Sequence, residues 1–567
     1  MHLVERPYRE ADRQALIAAG LHPVLARVYA ARRIRSAAEL EDDFKRLLPP
    51  ASLAHCERAA ALLADAIAAD KKLLIIADYD ADGATACAVG LRALRAMGAS
   101  VDYLVPNRFE LGYGLTPELV DIAAQRRPAL LITVDNGIAS VEGVERARAL
   151  GIATLITDHH LPAAELPRAD CIVNPNQAGC DFASKALAGV GVMFYVMLAL
   201  RAELRKRGAF QAGTEPNLAA LADLVALGTV ADVVPLDGNN RILVAQGLKR
   251  LRAGQAQPGI AALLRAAGRE AAKATAFDLG FVLGPRLNAA GRLADMGLGI
   301  ECLATDDEAR AANCALELDR LNRERRRIEA EMLEQARAAA DAVADAPGAA
   351  LAFFEPSWHQ GVVGILASRL RERLHRPVFC FARAKGEEHS GRLLTGSGRS
   401  IPGFHLRDCL DLVAKAAPGL IVRFGGHAQA AGLTLREPDL GRFREVLGEV
   451  AERTLPEEAR TRVVETDGAL SASELSLGLA QAVGARVWGQ GFPEPLFCDT
   501  FRLEHQRVVG EKHSKLKLVM DGRRLEAMRF NALDPLPPKF RAAYRVGVNE
   551  YNGLQTVQVS LEHVVPA

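Results

Sequence analysis

The sequence lacks an excess of either charge. Its 70 Lys and Arg stand against 69 Asp and Glu, a formal net charge of +1. No global field therefore steers it toward nucleic acid, and any polyanion site has to be a local patch. It also lacks a long apolar run. Half of the residues are hydrophobic, yet no stretch reaches the length of a membrane span, so no membrane partner is expected. The nine cysteines are odd in number and scattered, with no CxxC pair. That excludes a disulfide frame or a thiolate zinc site and predicts reduced, small core residues. The opening MHLVERPYREADRQ is charged from the start. It does not read as a secretory leader, and a cytoplasmic location is expected.

What is present is too much chain for one core. At 567 residues two to four domains are expected. Residues 1–70 read mostly as helix. From Lys71 short apolar runs alternate with helical stretches: KLLIIAD, VDYLVP (101–106), ALLITVDNG (129–137), IATLITDHH (152–160) and CIVNP (171–175). Such runs at this spacing predict a parallel α/β sheet. Residues 305–346 hold no Gly or Pro until APG ends them. They predict a helix of about 60 Å whose polar second half bridges domains. A second, Gly-rich α/β region follows to about Leu455. After residue 495 several short strands predict a small barrel of the OB type with a mild basic bias.

Three of the runs end in acids or histidine, and ligands in open α/β sheets bind at the carboxyl ends of strands. The first end is DYDADG. In extended chain, Asp78, Asp80 and Asp82 would point to one face and raise one another's pKa, a repulsion that divalent cations would remove. Two ions need a bridging carboxylate, and Asp135 of VDNG, on another strand, is the natural candidate. His159 and His160 can add imidazole nitrogen, with Asp158 orienting a histidine. Asp232 of GTVADVVPL is a further carboxylate in an apolar setting, or else a cap. An oxygen-rich set with one or two histidines suits Mn²⁺ or Mg²⁺ better than structural zinc. Each cluster alone reads more simply as a turn or a cap. Convergence of the three on one rim is what favours a metal site.

DYDADG, VDNG and DHH, in this order, resemble the DHH phosphoesterase superfamily. GSGRS (396–400) and GGHAQAAG (425–432) resemble its companion DHHA1 domain. With LGPRLNAAGR (283–292), the long helix and the terminal barrel, the chain is similar over about residues 45–567 to the superfamily's single-stranded-DNA-specific 5′→3′ exonucleases. The resemblance implies a two-metal phosphodiester hydrolase of DNA repair and recombination that releases 5′-mononucleotides. It implies a parallel-sheet DHH domain over 71–305 after an N-terminal helical segment (1–70). A connecting helix (306–346), a smaller α/β DHHA1 domain (347–455) and a linker with an OB-like nucleic-acid-binding barrel (456–567) would follow. By position Asp80, Asp82, Asp135, His159 and Asp232 match the family's metal ligands. Asp78 stands near where smaller relatives carry a histidine, and His160 would meet the scissile phosphate.

Further contacts follow from that resemblance. Arg286, Asn288 and Arg292 would touch DNA near the metals, unless they cap a helix. Glycines beside Ser397, Arg399 and His427 would let backbone amides approach a phosphate, unless they are ordinary turns. An exonuclease needs a stop for the 5′ end, and Arg108, Ser397 and Arg399 are candidates for holding a terminal phosphate. Tyr79, Tyr113, Trp358 and Phe404 could stack bases or belong to cores. Single-stranded DNA with a 5′ end is the expected partner, and the expected state is a monomer. A single-strand-binding protein and a helicase are expected from the family alone. Two rivals stay open: a small-substrate phosphoesterase sharing the rim, and a degenerate relative that only binds.

Overall fold

The structure is a computed structural model and describes residues 1–107, 113–342, 348–384 and 393–567. The five apolar runs that follow Lys71 become the strands Leu73–Ala77, Val101–Leu104, Leu130–Val134, Ala153–Thr157 and Cys171–Val173. All neighbours are parallel, in the spatial order second, first, third, fourth, fifth. Leu73–Ala77 and Leu130–Val134 are buried throughout, as strands covered on both faces must be. The order reverses around the first strand, and such a switch point opens a crevice at the strands' carboxyl ends.

Register sets the site. Ala77 lies opposite Val134, and Val134 opposite Thr157. The next residues in the three strands are Asp78, Asp135 and Asp158. Level strand ends therefore put three acids on one rim. Helices behind them close the core: Ala81–Ala96, Gly189–Lys206 and Ala222–Ala231 are largely buried.

The chain divides into a larger unit, Leu3–Asp319 with Glu465–Ala567, and a smaller one, Met1–His2 with Arg320–Val464. In the larger unit the terminal strands form a closed five-stranded barrel. Its order is Phe497–Val509, His513–Met520, Arg523–Arg529, Leu554–Pro566, Lys539–Tyr551. The one parallel pairing, Ala527 with Val559, closes it. Alternate residues fill the interior, Phe497, Phe501, Leu516, Leu518, Phe540 and Tyr544 among them, as expected of a small OB-type barrel.

The N-terminal region is less uniformly helical than its sequence suggests. It starts with a strand, His2–Glu5, followed by the helices Glu10–Ala18, Pro23–Ala30 and Cys56–Ala68, with three short 3₁₀ turns between the second and the third. Arg32 fixes it to the segment that enters the barrel. Its Nη1 and Nη2 donate to the two Asp467 carboxylate oxygens at 2.6 and 3.0 Å, and its Nε to the Pro493 carbonyl at 2.8 Å. Tyr29 stacks on Trp488 beside this pair.

In the smaller unit a five-stranded sheet runs Ile421–Gly426, Ala430–Arg436, Leu393–Arg399, Val378–Arg383, Leu351–Phe354. Only the last two strands are parallel to each other. One face packs on Phe443, Val446 and Leu447 of the helix Leu440–Thr454. The long helix spans Glu308–Ala342, about 52 Å at 1.5 Å per residue. Its polar surface carries i,i+4 pairs such as Arg320–Glu324 and Arg327–Glu331, which support an exposed helix. All nine cysteines are buried as free thiols.

Candidate metal centre

The DYDADG segment is not the extended comb that alternation suggests. The strand stops at Ala77, and Asp80 caps the helix Ala81–Ala96 by accepting from the Gly83 amide at 3.0 Å. Asp82 lies inside that helix's first turn. A strand-to-helix turn, not a strand face, gathers the three acids. Gly83 permits it, since a Cβ there would sit 2.7 Å from the Asp78 carbonyl oxygen. Gly291 does the same from outside, where a Cβ would come within 1.9 Å of the Tyr79 carbonyl oxygen. Asn288 on the same helix accepts the Ala81 amide at 2.8 Å. The LGPRLNAAGR motif is thus the buttress of the acidic turn.

Asp82 is held from a distance in sequence. Its Oδ2 and Oδ1 accept the Gly189 and Val190 amides at 2.7 and 2.9 Å, the open N-terminus of the helix Gly189–Lys206. Gly189 also has no room for a side chain, since a Cβ would lie 2.6 Å from Asp135 Oδ1. Sequence reasoning missed both residues. The available signal was GVGV opening an apolar helical run, small residues where amides must approach an anion.

Asp135 has left-handed backbone, φ 63°, a conformation uncommon outside glycine. The buried Asn136 holds it there by donating to the Ile76 and Val134 carbonyls at 3.2 and 2.9 Å. Asp158 is the organiser of the third strand end. Its Oδ2 accepts the Ile138 amide, and its Oδ1 accepts the His159 and His160 amides and lies 2.8 Å from His160 Nδ1. Tyr113 Oη donates to the Asp135 carbonyl at 3.2 Å and sits 3.2 Å from His160 Nδ1.

The rim holds three sets of ligand atoms, each within 4.8 Å of one another: Asp78, Asp80 and Asp135; Asp82, His159 and Asp232; Asp135, His159 and His160. Asp135 and His159 each belong to two of them. His159 Nε2 stands 3.1 Å from Asp135 Oδ1 and 3.5 Å from Asp232 Oδ2. Asp232 is indeed a helix cap, as its sequence allowed, and also part of the rim. The following Val233 is left-handed at φ 62°, a rare state for a β-branched residue.

Electrostatics point to missing positive charge. Burial, then Asp80, pushes the Asp82 carboxyl up to about 7 despite the two helix amides. Burial and the neighbouring acids push Asp135 and Asp232 well above the usual carboxylate range. Burial would lower His160, but its bond to Asp158 and the surrounding acids raise it to about 9. Burial likewise opposes ionisation of Asp158, yet the His160 bond wins and lowers it. Asp135 Oδ1 is a buried oxygen without a hydrogen-bond donor; its 3.1 Å approach to His159 lacks the alignment of a hydrogen bond. An oxygen-rich donor set, a buried oxygen without a donor and self-repelling acids together fit divalent cations such as Mn²⁺ or Mg²⁺.

The remaining sequence candidates fall in different places. Arg108 lies outside the described residues. Arg286 is tied to Asp319 at 2.8 Å and to the Val282 carbonyl, so its guanidinium is spent inside the protein. Arg292 is half-buried on the buttress helix. In the smaller unit GSGRS is not a loop. It lies within the strand Leu393–Arg399, where Gly396 and Gly398 leave room for the Phe381 and Phe379 rings, 2.4 and 2.3 Å from where a Cβ would be. Ser397 and Arg399 alternate to the other face. A Cβ on Gly364, in the first turn of the helix Val363–Leu374, would be 3.0 Å from Arg399 Nη2 and 3.5 Å from Ser397 Oγ. Among the described residues no carboxylate pairs with Arg399, and burial with nearby Arg371 lowers its pKa. His427 is an exposed turn residue after Gly426 at φ 138°. Trp358 and Phe404 are core residues, 6 and 4 % exposed.

A doubly wound sheet with an acidic, histidine-containing rim at its switch point defines a metal-dependent phosphoesterase. Family models agree: the DHH family, N-terminal domain, matches residues 72–229, the DHHA1 domain 346–453 and the RecJ OB domain 466–563. The single-stranded-DNA-specific exonuclease RecJ of Escherichia coli is 48% identical over 572 residues, 98% of each chain. Crystal structures of RecJ from Thermus thermophilus with Mn²⁺ and with Mg²⁺ superpose at TM-scores of 0.83 and 0.76. They show 30 and 29% identity, covering 100 and 99% of this chain and 79 and 78% of theirs. The chain belongs to the RecJ family.

Proposed function

We infer that this chain is a single-stranded-DNA-specific exonuclease, working 5′→3′ and releasing 5′-mononucleotides by metal-dependent phosphodiester hydrolysis. The observation that carries the reading is the level ending of three parallel strands in Asp78, Asp135 and Asp158, with Asp135 Oδ1 buried and undonated. Asp78, Asp80, Asp82, Asp135, His159 and Asp232 would hold two divalent ions. When bound, these lower the pKa of a water and polarise the phosphate.

The chain's own residues do the rest. The Gly189 and Val190 amides fix the Asp82 carboxylate, and Asn136 fixes the turn that presents Asp135. Asp158 holds the His160 ring in place, so that His160 would offer a donor to a phosphate oxygen. Asn288 and Gly291 keep the acidic turn in place, and Arg292 of the same helix would contact the strand.

For the 5′ end we assign Arg399 with Ser397 to the terminal phosphate. A half-buried guanidinium with no acid partner among the described residues, beside a helix N-terminus, is suited to an anion. Arg108 and His427 are carried as further contacts. Participation in repair and recombination, a monomeric state in the cytoplasm, and work beside a single-strand-binding protein and a helicase belong to the same proposal and rest on the family.

The deciding assay incubates the protein with Mn²⁺ and a long single strand labelled at either end. Mononucleotides appearing first from the 5′ label are expected. Internal fragments, release from the 3′ end, or cleavage only of dinucleotides would overturn the reading.

A further inference from the structure

A turn packed on the end of the helix Ala222–Ala231, which Asp232 caps, exposes an aromatic pair. Phe277 and Phe281 are 58 and 72 % exposed, and their rings stack at 5.0 Å with 21° between planes. One exposed phenyl is unexceptional, but two stacked on each other and left in water are not. A built element holds them there. Phe281 lies in the π-helical turn Asp278–Leu283, and Phe277 caps its start; π turns recur at functional sites. Asp278, buried, pins the turn by accepting the Thr275 amide and hydroxyl, each at 2.9 Å. Gly280 and Gly284 let it press on the end of the helix Ala222–Ala231, where added Cβ atoms would stand 3.0 Å from Val230 and from Ala231. Asp232 is the next residue.

The segment that leads into the turn adjoins the barrel. Lys273, four residues before Phe277, pairs with Glu550 at 3.3 Å. Glu550 sits at the tip of the hairpin formed by Lys539–Tyr551 and Leu554–Pro566. At that tip Tyr551 is 73 % exposed.

We propose that Phe277 and Phe281 form a stacking platform for unpaired bases of the DNA strand as it leaves the metal rim toward the barrel. The inference rests on the exonuclease reading. Flat, apolar, exposed rings bind any base by its face, and need no sequence preference. The turn that carries them packs on the end of the helix that Asp232 caps, and that nearness to the acidic rim favours the strand over a protein occupant. Nothing in the chemistry of the metal centre uses these rings, so their role is to hold substrate.

The test compares wild type with Phe277→Ala/Phe281→Ala, Phe277→Leu/Phe281→Leu and Phe281→Trp. Binding is measured in chelator, without hydrolysis, to a thymine strand of about 30 nucleotides and to one of equal length with an abasic stretch. Both double variants should bind the thymine strand about tenfold or more weakly, and lose the preference for bases over abasic sites. Their turnover of very short strands should stay near wild type. Phe281→Trp should bind normally and show fluorescence quenched by the strand beyond the wild-type background. Unchanged binding in the alanine variant, or full retention by the leucine variant, overturns the platform. Such an outcome would leave the rings to a protein partner or to generic apolar contact. If wild type itself fails to bind or cleave single strands, the exonuclease reading falls first.

Discussion

The carboxyl end of the parallel sheet and the Ser397–Arg399 face of the smaller unit's sheet both bury charge of a single sign. The first gathers Asp82, Asp135 and Asp232, whose carboxyls are forced toward neutrality by burial and one another. The second holds Arg399 near Arg371, with no acid partner among the described residues. Arg32 and Asp467 show the other way to bury charge: 2 and 0 % exposed side chains, opposite in sign and joined in a bidentate pair. A neutralised pair is complete in itself. A buried group of one sign is costly unless a counterion arrives. Under the proposed function the rim would take cations and Arg399 a phosphate.

The largest expected effect breaks the first half of that comparison. Asp135→Ala should abolish hydrolysis while leaving single-strand binding largely intact, because the acid is shared between two ligand sets and the proposed contacts to the strand are made by other residues. Turnover close to wild type would remove the shared-ligand assignment. Next, Arg399→Ala should lower kcat/KM for 5′-phosphorylated strands about tenfold to a hundredfold, the value of charged hydrogen bonds, and affect 5′-hydroxyl strands much less. The rate ratio between the two substrates is the measurement, and an unchanged ratio would move end recognition to another surface.

A smaller effect concerns pH. The Asp82 carboxyl has a folded value near 7 against 3.8 for an ordinary one, so the metal-free folded state binds more protons than the unfolded chain between them. Stability of the metal-free protein should therefore fall as pH rises from about 4 to about 7. Mn²⁺ should raise the Tm more at pH 8 than at pH 5, since at low pH it must displace protons. Equal gains at both values would mean that the acids do not share protons in the metal-free state. The smallest effect sharpens the local picture. Val233→Gly relieves a left-handed β-branched residue and should stabilise the fold by about 1 kcal/mol. Because Asp232 is then less firmly held, activity should drop while Tm rises. A fall in both would show that Val233 packs more than it strains.

Much of the rim was legible because its parts are local. A β-branched run followed by an acid announces a strand end, and three such ends in a parallel sheet converge. What was not legible depends on partners far along the chain. Asp82 meets amides 107 and 108 residues away, and no local pattern reports that. Alternation put Asp78, Asp80 and Asp82 on one strand face, whereas the cap reading open to the cluster is the one Asp80 takes, beginning a helix. GSGRS read as a phosphate loop, while its glycines answer to two phenylalanine rings on the neighbouring strand. Arg286 looked available until Asp319, on the long helix, claimed it. The exposed pair Phe277 and Phe281 carries no sequence signature at all, since its meaning lies in exposure.

The Arg32–Asp467 pair also orders events during synthesis. Its two ends are 435 residues apart. At translation rates of about 5–20 residues per second, the ribosome needs roughly 20 to 90 s to make the stretch between them. Throughout that interval the first helices have emerged without the carboxylate that anchors Arg32, and Tyr29 has no Trp488 to cover it. The earliest part of the chain to be made is thus among the last to settle. A nascent chain stalled short of Asp467 would present this segment, uncovered, to chaperones and proteases.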